Sequence, residues 1–347
     1  MIGRPHVNKK GDYKPVFCAG GDVKSVYLCG KENTTTGGYG HRGLLTADFF
    51  REEYAVNHAI ATQYERTKIP QISIWNGIVM GGGVGLSIHG SYRVATEHTI
   101  FAMPESAIGL FPDVGGMWFL PRLNEEHKGL GLYLALTGHK LTGVACMYAG
   151  LSTHYISSKK LEKLYEKLID ATITNVDVIK VLDAFHEEGK EEMAKHVRDC
   201  FIAKHAEIIE KTFYNKDSVE HIMTTLEECQ GERDDFSVNT LATLKSRSPT
   251  SLKVTFEGMR RGLQAQSIGE CLQMEFRMSQ AFMRPGSDFY EGIRAVLVDK
   301  DNAPKWNPSS LEELSEEQVE SYFESLGGNE WQIPRYNDDD RVHFPRL

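Results

Sequence analysis

PQISIWNGIVMGGGVGLSIHGSYRVATEHTIFAMPE, residues 70–105, is the stretch on which the fold class turns. Its first eight residues set apolar Ile72 and Ile74 between polar neighbours and then reach Asn76-Gly77, so a strand running into a turn is expected. Gly81, Gly82 and Gly83 follow at once and lead into a short helical run. SYRVATEHTIFAMPE reads as two further strands around Glu97-His98. Strand, glycine turn and helix in this order predict an α/β architecture.

Upstream, FCAGGDV at 17–23 ends a strand-like run in a second glycine turn. NTTTGGYGHRG, 33–43, has the composition of a mobile loop. Downstream the character changes near Ser158, where Lys, Glu and Leu recur at helical spacing without a strand pattern. Ser248 with Pro249 marks a helix start, and Ser267–Glu270 and Ser310–Glu313 have the spacing of capping boxes. The expected division is an α/β core over 1–157, a helical insertion over 158–235 and a helical C-terminal region over 236–347. The acidic run Asp338–Asp340 reads as solvated.

The chain has 347 residues, 41% of them hydrophobic and 25% charged, ordinary values for a globular protein with a sizeable core. No apolar run is long enough to span a bilayer. A net charge of −9 with interspersed signs argues against a nucleic-acid surface, while leaving room for a local cationic patch. The six cysteines are far apart and make no Cys-x-x-Cys pair, so reduced thiols and no zinc framework are expected. The thirteen histidines make no His-Glu-x-x-His arrangement, and no metal site is expected. The polar opening, MIGRPHVNKKGDYKPVFCAGGD, carries neither a secretory core nor the pattern of an import peptide.

FAMPESAIGLFPDVGG, 101–116, sets Glu105 and Asp113 in apolar surroundings. Taken alone, both fit exposed turns after Pro104 and Pro112. The glycine triplet alone fits a tightly packed turn equally well. It matches neither the phosphate-loop nor the dinucleotide fingerprint. Two glycine turns, however, can aim two backbone amides at one oxygen, and a carboxylate lies a short way downstream. That combination suits activation of a carbonyl carbon.

FCAGGD, NGxxxGGGxGL and FAMPExxIGLFPDVGG together resemble the crotonase superfamily of coenzyme A thioester enzymes. The likeness continues in order through FREEY (50–54), SPTSLKVTFEGM (248–259), DFYEGIRAVLVDKDNAPKW (288–306) and SLEELSEEQVESYFESLGG (310–328). It implies a spiral α/β fold with a helical C-terminal region. Only 16 residues precede FCAGGD, so the first strands of the family pattern are expected to be missing.

The resemblance also implies roles. The amides of Gly21 and Gly82 would form an oxyanion hole, Glu105 would be the catalytic carboxylate, and Asp113 a second acid near the substrate's hydroxyl. Glu53 would line the substrate pocket. Hydratases of the superfamily carry a second glutamate where Gly85 stands, which favours hydrolysis over hydration here. The implied reaction is hydrolysis of (S)-3-hydroxyisobutyryl-CoA, a step of valine breakdown, with 3-hydroxypropanoyl-CoA a further substrate. Coenzyme A is then part of the substrate, with no separate cofactor, and the compartment is mitochondrial. Enoyl-CoA hydration or isomerisation, and a shortened non-catalytic product, are the rival readings. Homo-oligomerisation stays open.

Coenzyme A is anionic and needs a basic patch, for which Lys24, Arg294 and Lys300 are the candidates. The competing reading is that Arg294 and Lys300 balance Glu291, Asp299 and Asp301 on a solvated helix face.

Overall fold

The computed structural model describes residues 6–7, 13–33, 41–123, 126–174, 177–229 and 235–334. The segment 34–40 and Asp338–Asp340 lie outside the described residues.

Among the described residues, nine short strands make three sheets. A two-stranded antiparallel ribbon joins β1 (His6–Val7) to β2 (Tyr13–Lys14). The remaining strands are β3 (Val16–Cys18), β4 (Ile72–Trp75), β5 (Ile78–Met80), β6 (Tyr92–Ala95), β7 (Ile100–Ala102), β8 (Leu141–Thr142) and β9 (His154–Tyr155). One sheet has the order β3-β5-β7-β8 and the other β4-β6-β9. From β3 to β7, successive strands therefore alternate between two sheets, and the chain advances as a spiral.

Asn76-Gly77 is the turn at one switch. It does not close a hairpin, because β4 and β5 belong to different sheets. Gly77 has φ +127°, and a Cβ there would overlap the carbonyl of Pro15, so only glycine fits. Apart from the antiparallel β7–β8 pair, the strand pairs of these two sheets are parallel. Parallel strands need crossovers, and α1 (Val23–Glu32), α2 (Leu45–Thr67) and α3 (Gly82–Gly85) are among them.

Beyond Ser158 the described elements are helices and turns. The segment expected as one insertion meets two different surfaces. Leu161, Leu164, Leu182 and Phe185 pack with Ile74, Val94 and Ile156 on the three-stranded sheet. Ile202, Ile209, Phe213, Val219, Ile222 and Leu226 join the main core.

Ser248 caps its helix as expected, accepting the Ser251 N–H at 2.9 Å, with Pro249 at the first helical position. Ser267 caps Glu270, but the Glu270 carboxylate takes the N–H of Gln266 (2.9 Å). No helix starts at Ser310. Glu313 folds back onto Ser309 instead, and the reciprocal box forms at Ser315 and Gln318.

Candidate active site

The parallel pairing of β3 with β5 sets the two glycine turns side by side. Gly20 takes φ +107° and Gly81 φ +50°, the left-handed half of backbone space that glycine enters at no steric cost. A Cβ on Gly20 would lie 3.7 Å from the Gly82 nitrogen, and one on Gly82 would lie 3.4 Å from the Gly21 nitrogen. The amides of Gly21 and Gly82 thus border one gap. Asp22 caps α1 beside it by accepting the Ser25 N–H (3.1 Å).

Glu105 opens a 3-10 turn, Glu105–Ile108, directly after β7 and Pro104. Only 6% of it is exposed, so the exposed-turn reading fails. Its Oε1 lies 3.1 Å from the Cβ position of Gly81, and its buried Oε2 has no hydrogen-bond partner among the described residues. Glu53 reaches the same gap from α2: a Cβ on Gly82 would overlap its Oε1. Asp113 is also buried, and its Oδ2 accepts the Tyr54 hydroxyl at 3.0 Å.

The sequence singled out these three acids separately, and the fold gathers them. Burial, and then the charge of Asp113, push Glu53 up to about 8. Burial pushes Asp113 up to about 7 against the opposing Tyr54 hydrogen bond. Glu105 is held well above the usual carboxylate range by burial, then by Asp113 and Glu53. Like charges this close do not all ionise near neutrality, so the cluster retains protons that it can exchange with a substrate.

The Asp113 loop has an unusual backbone. Val114 has φ +54°, a costly conformation for a β-branched residue, on the order of 1–3 kcal/mol. Gly115 follows at φ +85°. His89 Nε2–H donates to the Val114 carbonyl at 2.7 Å, and burial lowers the imidazole to about 4, so the ring is neutral. The buried Glu275 carboxylate, on the helix Ile268–Phe282, accepts the N–H groups of Gly115 (2.7 Å) and Met117 (2.9 Å).

Gly85 packs under this loop. A Cβ there would sit 2.6 Å from Val114 Cβ and 2.7 Å from the Asn57 amide nitrogen. A glutamate at 85 therefore has no space in this arrangement.

Tyr54, His89, Asn57 and Glu275 are the neighbours that sequence reasoning passed over. Tyr54 stands inside FREEY, and Glu275 falls at helical spacing among buried Leu272, Phe276 and Ser279, which is a legible signal for a buried acid. His89 and Asn57 had none.

The cationic candidates separate. Lys24 is exposed on α1, which packs on the helix Asp288–Ile293 through Tyr27 and Tyr290 (ring centroids 6.0 Å apart). Arg294 is paired with Glu291 (2.8 Å), Asp299 (2.6 Å) and Asp301 (2.7 Å), the balancing arrangement weighed above. Lys300 is exposed and lies past the helical segment, in a left-handed conformation (φ +59°).

Among the described residues no group of three or more His, Cys, Asp or Glu side chains is arranged to hold a metal ion. No described helix is long and apolar enough to cross a membrane.

An α/β spiral with facing glycine turns and buried acids defines a class, and comparison with known proteins agrees. The chain belongs to the enoyl-CoA hydratase/isomerase family, whose profile it matches over residues 6–323. It is similar to proteins named 3-hydroxyisobutyryl-CoA hydrolase, mitochondrial. The Xenopus tropicalis protein is 46% identical over 93% of this chain and 78% of its own length. The Dictyostelium discoideum protein is 42% identical over 92% and 79%. Among solved structures, a carnitinyl-CoA dehydratase from Mycobacterium thermoresistibile matches with a TM-score of 0.75 and 34% identity, over 91% of this chain and 82% of that one. An enoyl-CoA hydratase from Rhodobacter sphaeroides matches with a TM-score of 0.71 and 27% identity over the same shares. The expected spiral crotonase-type fold with a helical C-terminal region is thus the fold of this chain.

Proposed function

We propose that this protein hydrolyses the thioester of (S)-3-hydroxyisobutyryl-CoA to 3-hydroxyisobutyrate and free coenzyme A, in the mitochondrial breakdown of valine. The observation that carries the reading is the closed space at Gly85. With Val114 and Asn57 against it, a hydratase-type second glutamate is excluded, and Asp113 is the second acid beside Glu105. The names of the relatives support the substrate and the compartment.

In this reading the amides of Gly21 and Gly82 receive the thioester oxygen and stabilise the negative charge that develops on it. Glu105, with one oxygen unpartnered, either attacks the carbonyl carbon or takes a proton from the attacking water. The first route forms a mixed anhydride that water opens, and the second adds water directly. In both, the carbon–sulfur bond breaks and the thiolate leaves with a proton from the acid cluster. Asp113, steadied by Tyr54, faces the substrate's hydroxyl, and Glu53 lines the pocket. Coenzyme A enters as part of the substrate, with Lys24 and Lys300 the cations left for its phosphates. The division into 1–157, 158–235 and 236–347 belongs to the same proposal.

A thiol-release assay with 3-hydroxyisobutyryl-CoA, run beside an enoyl-CoA hydration assay, tests it. Thiol release without hydration is expected; hydration without thiol release overturns the reading. Single turnover in ¹⁸O-water, followed by mass spectrometry of Glu105, separates the two routes.

A further inference from the structure

We propose that Glu275 is a positioning residue for Asp113, its carboxylate holding the left-handed loop 113–117 in the shape that presents Asp113 to the substrate. The inference rests on the reading of Asp113 as a site residue. The geometry is specific. Val114 and Gly115 both take positive φ (+54° and +85°), a conformation unfavourable for the valine, so something outside the loop must hold it. Two backbone N–H groups of that turn, Gly115 and Met117, converge on the two oxygens of one buried side chain, at 2.7 and 2.9 Å. Both oxygens accept from N–H, the pattern that suits a carboxylate. His89, in the turn that follows α3, binds the Val114 carbonyl, so the loop is held both by His89 and by the helix Ile268–Phe282.

Asp113 is faced by Glu53 and Tyr54 from α2, by Glu105 from the 3-10 turn, and by Glu275, with neutral His89 beside the loop. Among these described groups none is a cation. Burial holds Glu275 well above the usual carboxylate range, opposed by the N–H bonds it accepts, so it acts on Asp113 by placing it and not by charge.

The test uses Glu275→Gln in the full chain, which keeps the size but turns one acceptor into a donor facing an N–H. Expected are a fall in kcat on the order of tenfold to a hundredfold, a KM within about twofold, and a changed Asp113 resonance and titration by ¹³C carboxyl NMR. A purely structural role would lower Tm and leave kcat per folded molecule and the Asp113 titration unchanged, and that result overturns the proposal. If the variant does not fold, hydrogen exchange on the wild-type protein decides: Gly115 and Met117 amides should exchange slowly, and exchange at exposed-loop rates overturns it. Both NMR and exchange read out without any substrate, so failure of the thioester assay on the wild-type enzyme would count against the proposed reaction and leave the role of Glu275 separately answered.

Discussion

Glu53, from α2, joins Glu105 and Asp113 in one cluster of acids whose carboxyls are all raised above their ordinary range. The proposed role of Glu105 requires its carboxylate. Glu105→Gln should lower thiol release at least a hundredfold, the usual scale for a positioned acid or base, while circular dichroism stays native. Wild-type turnover in that variant would end the proposal for Glu105. The raised carboxyls also predict the pH dependence of stability. Glu53 and Asp113 titrate in the folded chain at about 8 and about 7, above an unfolded value of about 4. Their protonated forms thus favour the folded state. That contribution is complete below about pH 4 and is lost as pH rises through about 7–8. Asp113→Asn should therefore raise Tm at pH 8, by about 2 °C or more, and leave it unchanged at pH 4, while activity falls. An unchanged Tm in calorimetry at pH 8 would contradict this electrostatic account.

At the scale of elements, the glycines of β3–α1 and β5–α3 decide what can approach. Gly82→Ala places a methyl group against Glu53 Oε1, so the side chain must shift away from the gap. Activity should fall more than tenfold with little loss of stability, since a flexible carboxylate is what yields. Gly85 is different, because its neighbours are a strained loop and a buried amide. Even Gly85→Ala should cost about 1–3 kcal/mol in urea unfolding, from overpacking against Val114 and Asn57. Gly85→Glu should lose hydrolysis without gaining hydration; a folded variant that hydrates an enoyl-CoA would refute the space argument. The same contrast explains which helix starts were legible. Ser248-Pro249 carries its cap within three residues, whereas the Glu313 carboxylate accepts the N–H and hydroxyl of Ser309 instead of serving Ser310.

For the whole molecule, the helices over 161–229 are part of two cores and do not behave as an appendage. Leu182 is fully buried against the three-stranded sheet, and Phe213 against the main core. Leu182→Ala and Phe213→Ala should each cost about 2–5 kcal/mol in urea unfolding. Removing 161–229 should leave an insoluble chain, because Ile74 and Val94 on one sheet and the core helices on the other would both face water. A soluble, folded product of that deletion would show the segment to be a separable unit.

Taken by itself, the sequence determined the α/β start, the helical remainder and the glycine turns, because periodicity, capping and glycine spacing are local signals written into neighbouring residues; the three acids it offered as site residues only through resemblance to a family. Tertiary structure alone decided that Asn76-Gly77 joins two sheets, that Arg294 is committed to three carboxylates, and that Gly85 has no room for a side chain. It also decided that Glu275 reaches a loop 160 residues earlier. Such contacts depend on where distant segments meet, and burial, not spacing, sets the charge state of the groups they bring together.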